Sequence, residues 1–378
     1  MPTLAQEYAH QFPVKGSYIY FNHAGVCPLP ERSARAAQEV LERQLRSGAA
    51  RYPIWSQGIR ATRQNLARLL GAAPDEIAFV KNTTQGLIIA AESIPWREGD
   101  NVVTSAIEFP ANVYPWLALE RRGVETRFVG AREGRVQIDD LAAAMDSRTR
   151  VLTLSWVQFT SGYRSDLGQL SALCRDNNSY LVVDAIQGLG ALELDLSRYA
   201  VDFLCADGHK WLLSVEGCGV LYVRRQILDD LVPCNVGWLS VEGAHDFLDY
   251  HLKLRPDAAR FEEGSHNVAG IHALGASAGL LLEAGPARVE QEIIELTDYL
   301  VEESERIGCT VTSPREEGGK SGIVAFKHPS LESAELADRL RERNIVCVER
   351  AGAVRFSPHF YNDREEVDRA LAEIKALL

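Results

Sequence analysis

At 378 residues, 46% of them hydrophobic and 24% charged, the chain has the make-up of an ordinary folded protein and exceeds one core, so a large domain with a smaller companion is expected. Its formal net charge of −12, with no basic block to offset it, excludes nucleic acid and anionic membrane as main partners. The seven cysteines form an odd set without a CxxC pair, and neither a secretory pattern nor a membrane-spanning run is present, so a reduced, cytoplasmic protein is expected.

In chain order, short β-rich runs alternate with helical patterns. EIAFV, ending at Val80, leads through KNTTQG into a helix over 84–94, and NVVTS (101–105) precedes one over 111–122. VLTLSWV (151–157) precedes a helix over 166–178, after which come YLVVDA (180–185), DFLCA (202–206) and GVLYV (219–223). Nearly apolar strands separated by helices predict an α/β fold, a mostly parallel central sheet with helices on both faces. Past residue 265, helical patterns over 267–284 and 286–306 lead to SGIVAF, AELADRLRERN, IVCVE, AVRFS and a last helix from Asp363, a smaller α+β domain. The expected division is 15–265 for the large domain and 266–378 for the small one, with the arm 1–14 joining the latter.

In such sheets ligands gather at the carboxyl ends of the strands. YLVVDAIQG delivers Asp184 with Gln187 three residues on, DFLCADGHK delivers His209 and Lys210, and KNTTQG sets Thr83, Thr84 and Gln85 at a helix start. Hydroxyls and free amides at a helix start suit a phosphate. An acid and a lysine would flank whatever that phosphate anchors, and pyridoxal phosphate needs all three parts. Taken singly, Asp184 is more often a strand-end cap, the threonines an N-cap and Lys210 a solvated loop residue. Their order along the chain favours the cofactor.

With these residues the chain resembles the fold-type I pyridoxal-phosphate enzymes of the class V aminotransferase family, which includes cysteine desulfurases, kynureninase and isopenicillin N epimerase-like proteins. The resemblance runs from about Tyr20 to the C-terminus, and GHK with DAIQ upstream is its most specific part. It implies that Lys210 forms the Schiff base, that His209 and Thr84 contact the phosphate, and that Asp184 pairs with the pyridine nitrogen while Gln187 approaches the ring hydroxyl. It also places Thr83, Gln85 and Asp207 around the cofactor and Phe109, in IEFPANVYPW, where desulfurases stack a histidine on its ring. Ser265, in FEEGSHN, would reach the phosphate of a neighbouring subunit in a homodimer. Arg355, in AVRFSPHFYN, would bind the substrate carboxylate, with Asn22 and His23 also on the substrate side.

Some positions depart from the family pattern. Only ERAGAV separates Val348 from Arg355, so the loop that carries the desulfurase cysteine is absent, and Cys347 lies in the apolar run IVCV. Phe159 stands where relatives have an asparagine and Asp207 where many have a serine. The expectation is a PLP-dependent enzyme acting on an amino acid or related amine, first an aminotransferase, then a lyase, epimerase or desulfurase-like enzyme. A non-catalytic cofactor-binding scaffold is the rival from another class. A nicotinamide oxidoreductase is disfavoured because Gly188 and Gly190 lack a third glycine, Glu193 standing in its place, and no HExxH or Cys/His cluster suggests a metal.

Overall fold

The structure, a computed structural model, describes residues 2–377. Strand β1 (Ile19–Tyr20) stands apart from the main sheet. That sheet is built from β2 (Ile77–Val80), β3 (Asn101–Ser105), β4 (Glu125–Val129), β5 (Thr149–Ser155), β6 (Tyr180–Asp184), β7 (Phe203–Asp207) and β8 (Gly219–Val223). Their order is β2-β8-β7-β6-β5-β3-β4, parallel except for β8, which runs antiparallel to both neighbours. Successive residues of a strand face opposite sides. Leu152, Leu181 and Leu204 accordingly join a core with Leu66, Leu70 and Leu274, while Val151, Val182 and Phe203 join another with Leu87, Ile89 and Trp116. Burial on both faces explains why these strands read as unbroken apolar runs.

The helix expected over 111–122 is broken. Pro110–Asn112 and Ala118–Arg122 are 3-10 turns around the single α-turn Tyr114–Leu117, because Pro110 and Pro115 lack the amides a continuous helix needs.

In the C-terminal part, β9 (Thr310–Val311), β10 (Val324–Lys327), β11 (Ile345–Val346), β12 (Val348–Arg350) and β13 (Ala353–Phe356) are interleaved with the helices Ser333–Glu342 and Arg364–Leu377. A four-stranded antiparallel sheet, β12-β13-β10-β9, packs Phe326 and Phe356 against Leu336, Leu340, Val367 and Ile374. The run IVCVE, expected as one strand, divides at Cys347: β11 pairs in parallel with β1, and β12 turns to β13.

Two edges of the expected division therefore differ. Ile19 and Phe21 lie in the C-terminal core, although they fall within 15–265. Helix Val268–Ala284 packs on the large core, where Ser277 Oγ donates to the Leu213 carbonyl and Thr62 Oγ1 to that of Ile271. The chain crosses over at Gly285 (φ 85), bending by 79° into helix Pro286–Arg306. No single helix among the described residues is long and apolar enough to cross a membrane.

Candidate active site

Asp184 ends β6, opposite Ser155 of β5 and Cys205 of β7. It is buried, and Oδ1 accepts from the Ile186 amide at 3.0 Å. Burial raises its pKa above the carboxylate range; Glu108 adds to the rise and Lys210 opposes it. Lys210 follows the end of β7 in a loop closed by Ser214 N donating to the Gly208 carbonyl at 2.8 Å. Desolvation pulls its amine below the usual lysine range, against the attraction of Asp184, and Arg355 pulls the same way. Nζ lies 5.6 Å from the centre of the Phe109 ring, which is 45% exposed.

The loop is held under strain. Leu213 sits in the left-handed region (φ 57), a conformation costing a bulky side chain about 1–3 kcal/mol. Gly190 (φ 101) explains the glycines of DAIQGLG, since a Cβ there would meet the Trp211 carbonyl oxygen at 2.2 Å. They allow close packing against the lysine loop.

The helix start beyond β2 is adjacent. Helix Thr83–Ser93 is capped by Asn82, not by the threonines, through Asn82 Oδ1 accepting from Gln85 N at 2.9 Å. The amides of Thr83 and Thr84 have no acceptor among the described residues, which leaves a first turn open to an anion. Thr83 Oγ1 accepts from Asp207 N at 3.0 Å and so joins this turn to β7. Gln85 Oε1 instead accepts from Lys81 N at 2.7 Å. Asp207 Oδ1 accepts from Gly208 N, and Oδ2 lies 2.9 Å from His209 Nδ1, which has no hydrogen-bond partner among the described residues.

On the opposite side, Arg355 in β13 is 1% exposed, yet its one side-chain hydrogen bond among the described residues is donated from Nη1 to the Phe159 carbonyl at 2.6 Å. Nε is buried without a partner, and no carboxylate among the described residues neutralises the charge, so burial pulls the guanidinium down to about 9, with Arg350 adding to it. Phe159 packs edge-on against Phe109 with ring centres 5.3 Å apart. Lys210, Phe109, Phe159 and Arg355 thus form a continuous wall. The β12–β13 hairpin carrying Arg355 turns through Ala351 (φ 52) and Gly352 (φ 77) alone.

Other expected residues are placed differently. Gln187 lies behind Lys210, donating to the Ala24 carbonyl and accepting from the Trp211 indole, both at 3.0 Å; one amide N–H is left for a ring hydroxyl. Asn22 Oδ1 is buried and unpartnered. His23 corrects the expectation made for it: Nδ1 faces the Ser357 carbonyl and Nε2 the Tyr361 hydroxyl, each at 2.8 Å, so the buried ring has no nitrogen left for a substrate. Ser265 is exposed on the segment that Glu262 anchors to Arg63 and His266, and it makes no hydrogen bond to the Lys210 cluster.

Glu108 is a further acid of the site. It is buried, accepts from Ser155 N, Ser155 Oγ, Gln158 Nε2 and Asn112 Nδ2, and faces Asp184 electrostatically. A lone acid in the apolar run IEF was the available signal. The seven cysteines are free; six are buried, and burial raises the pKa of each, with Cys347 pushed up to about 12, while Cys234 is exposed.

The profile of the family aminotransferase class-V matches residues 19–370. A probable cysteine desulfurase of Methanothermobacter thermautotrophicus is 30% identical over 390 aligned residues, covering 96% of this chain and 95% of that protein. The uncharacterized aminotransferase YcbU of Bacillus subtilis is 27% identical over 379, covering 100% and 99%. Among solved structures, the cystine C–S lyase C-DES with its product cysteine persulfide has a TM-score of 0.89 at 25% identity, covering 97% of this chain and 99% of that one. A C-DES variant carries glycine covalently linked to its PLP cofactor. With the match spanning the sheet, the lysine loop and the arginine hairpin alike, the chain belongs to the class-V aminotransferase family of pyridoxal-phosphate-dependent enzymes.

Proposed function

We propose that the chain is an aminotransferase for α-amino acids or related amines, with Lys210 as its acid–base residue. The observation that carries this reading is Arg355, a buried guanidinium with an unpartnered Nε and no counter-ion, as a site awaiting a carboxylate requires. The residues present also fit the cofactor. The open amides of Thr83 and Thr84, with His209, suit its phosphate, Asp184 suits its ring nitrogen, and Phe109 offers an exposed ring to stack on.

Pyridoxal phosphate supplies an aldehyde that captures amines and a ring that draws electrons from the bond broken at Cα. Asp184 holds a proton at the ring nitrogen by charge pairing. Lys210, desolvated and so able to lose its proton near neutral pH, moves a proton to or from the substrate Cα. Arg355 orients the α-carboxylate, and the Phe109–Phe159 wall excludes water from that side. The reading extends to a homodimer in which the exposed Ser265 reaches the neighbouring site, and to a cytoplasmic enzyme with reduced thiols.

Sulfur transfer from cysteine needs a mobile thiolate as acceptor. The two-residue turn Ala351–Gly352 carries no cysteine, and burial disfavours the thiolate at Cys347 and at five of the other six positions, Cys234 being exposed. Elimination is the second reading, favoured by the likeness to the cystine C–S lyase and served by the same lysine and acid.

The test is a panel of amino acids added to the holoenzyme while the cofactor absorbance is followed. Conversion to the amine form, reversed by a keto acid, is expected. Release of pyruvate and ammonia from cystine instead would establish elimination. Sulfide release from cysteine that disappears in Cys347→Ser would return the protein to the desulfurases.

A further inference from the structure

We infer that Arg350 is a second anion-binding residue of the substrate site, and that the preferred substrate is an amino acid whose side chain ends in a carboxylate or a similar anion. This rests on the reading of Arg355 as the residue that binds the α-carboxylate.

The pairing of β12 with β13 sets Val348 opposite Arg355 and Arg350 opposite Ala353. Directly opposed residues share a face, as do alternate residues of one strand, so Arg350 and Arg355 project from the same face of the hairpin. That is the face on which Arg355 meets Phe159. The hairpin is not a loose loop: its turn has two residues, and Gly352 N donates to Glu349 Oε1 at 2.5 Å. Arg350 is therefore fixed beside the site at the turn end of the strand.

Its surroundings leave it available. Arg350 is exposed, and its one side-chain hydrogen bond among the described residues is donated from Nη1 to the Glu349 carbonyl at 3.0 Å. Among the described residues no carboxylate forms an ion pair with it or with Arg355, although most surface arginines have one. Its charge is felt at both Arg355 and Lys210, where it disfavours the cation. Like charges held together without a counter-ion oppose one another, and a ligand with two anionic groups relieves both. A monocarboxylate neutralises Arg355 and leaves Arg350 unmatched.

The test uses the holoenzyme at fixed ionic strength, titrated with succinate and glutarate as dianions and butyrate as monoanion, with the cofactor absorbance as readout. Binding is thereby measured whether or not any of the proposed reactions occurs. The dianions are expected to bind about ten- to a hundredfold more tightly than butyrate, the range for one added charge-assisted contact. Arg350→Ala should erase most of that ratio and Arg350→Lys should keep part of it. In turnover, the preference for aspartate or glutamate over alanine in kcat/KM should fall in Arg350→Ala by a similar factor. Equal binding of butyrate and both dianions, or a proportional loss for all three in Arg350→Ala, would overturn the inference. Undiminished butyrate binding in Arg355→Ala would instead overturn the reading of Arg355 on which it rests.

Discussion

Two buried polar clusters, one around Lys210 and one around His23 and His359, differ in one respect. In the first, Lys210, Asp184 and Arg355 are charged or poised to be, and Arg355 lacks a counter-ion among the described residues. In the second, His23 bridges Ser357 and Tyr361, while His359 faces the Trp211 carbonyl with Nε2 at 3.0 Å and accepts from Phe360 N with Nδ1. Both imidazoles are held neutral, their pKa values lowered first by burial, and that of His359 falls to about 4. The second cluster is the richer in histidine, yet each of its ring nitrogens has a partner. Unmet demand, more than residue type, distinguishes a site from a support.

The largest effect should come from Lys210. Lys210→Ala should lower turnover by about a thousandfold or more while cofactor stays bound through its phosphate contacts. Hydride reduction of the wild-type holoenzyme should attach the cofactor to the peptide containing Lys210; a label on Lys15 or Lys81 would break the assignment. Asp184→Asn keeps the shape but removes the charge, so turnover should fall by about a hundredfold or more. Near-normal rates would place the electron sink elsewhere.

Smaller effects separate the two clusters by stability. Arg355→Met should weaken binding of α-carboxylates and yet stabilise the ligand-free protein by about 1 kcal/mol or more, because an unpaired buried charge is replaced by an apolar side chain. His23→Phe and Tyr361→Phe should each lose about 1–2 kcal/mol in urea unfolding, with turnover per folded molecule retained. A stability gain at His23, or a loss at Arg355, would collapse the distinction.

The pH dependence of stability should differ in sign as well. His359 titrates lower in the folded chain than in the unfolded one, whose imidazole lies near about 6.5, so between these values the unfolded chain binds more protons. Its contribution is present above that window and is lost as pH falls through it. Asp184 titrates higher in the ligand-free folded chain than the ordinary 3.8, so there the folded chain binds more protons and stability declines as pH rises past that value. Urea midpoints of the apoprotein across mildly acidic pH, with and without Asp184→Asn, should show the second slope reduced, the remainder belonging to Glu108, whose pKa burial also raises.

The strands and the order of the helix start, Asp184 and Lys210 were legible in the sequence because they depend on local rules. Apolar runs buried on both faces and polar residues at strand ends leave a pattern within a few residues. Lys210 ends its run in DFLCADGHK, and Asp184 in YLVVDA, for that reason. What tertiary structure decided involved partners far apart in the chain. The role of His23 turned on Ser357 and Tyr361, more than 330 positions away, which fill both its nitrogens. Glu108 depended on Ser155 and Gln158, and the division of IVCVE on β1 at the opposite end of the chain. The isolation of Arg355 could not be read at all from its neighbours in sequence, because a missing counter-ion is a property of everything packed around a charge.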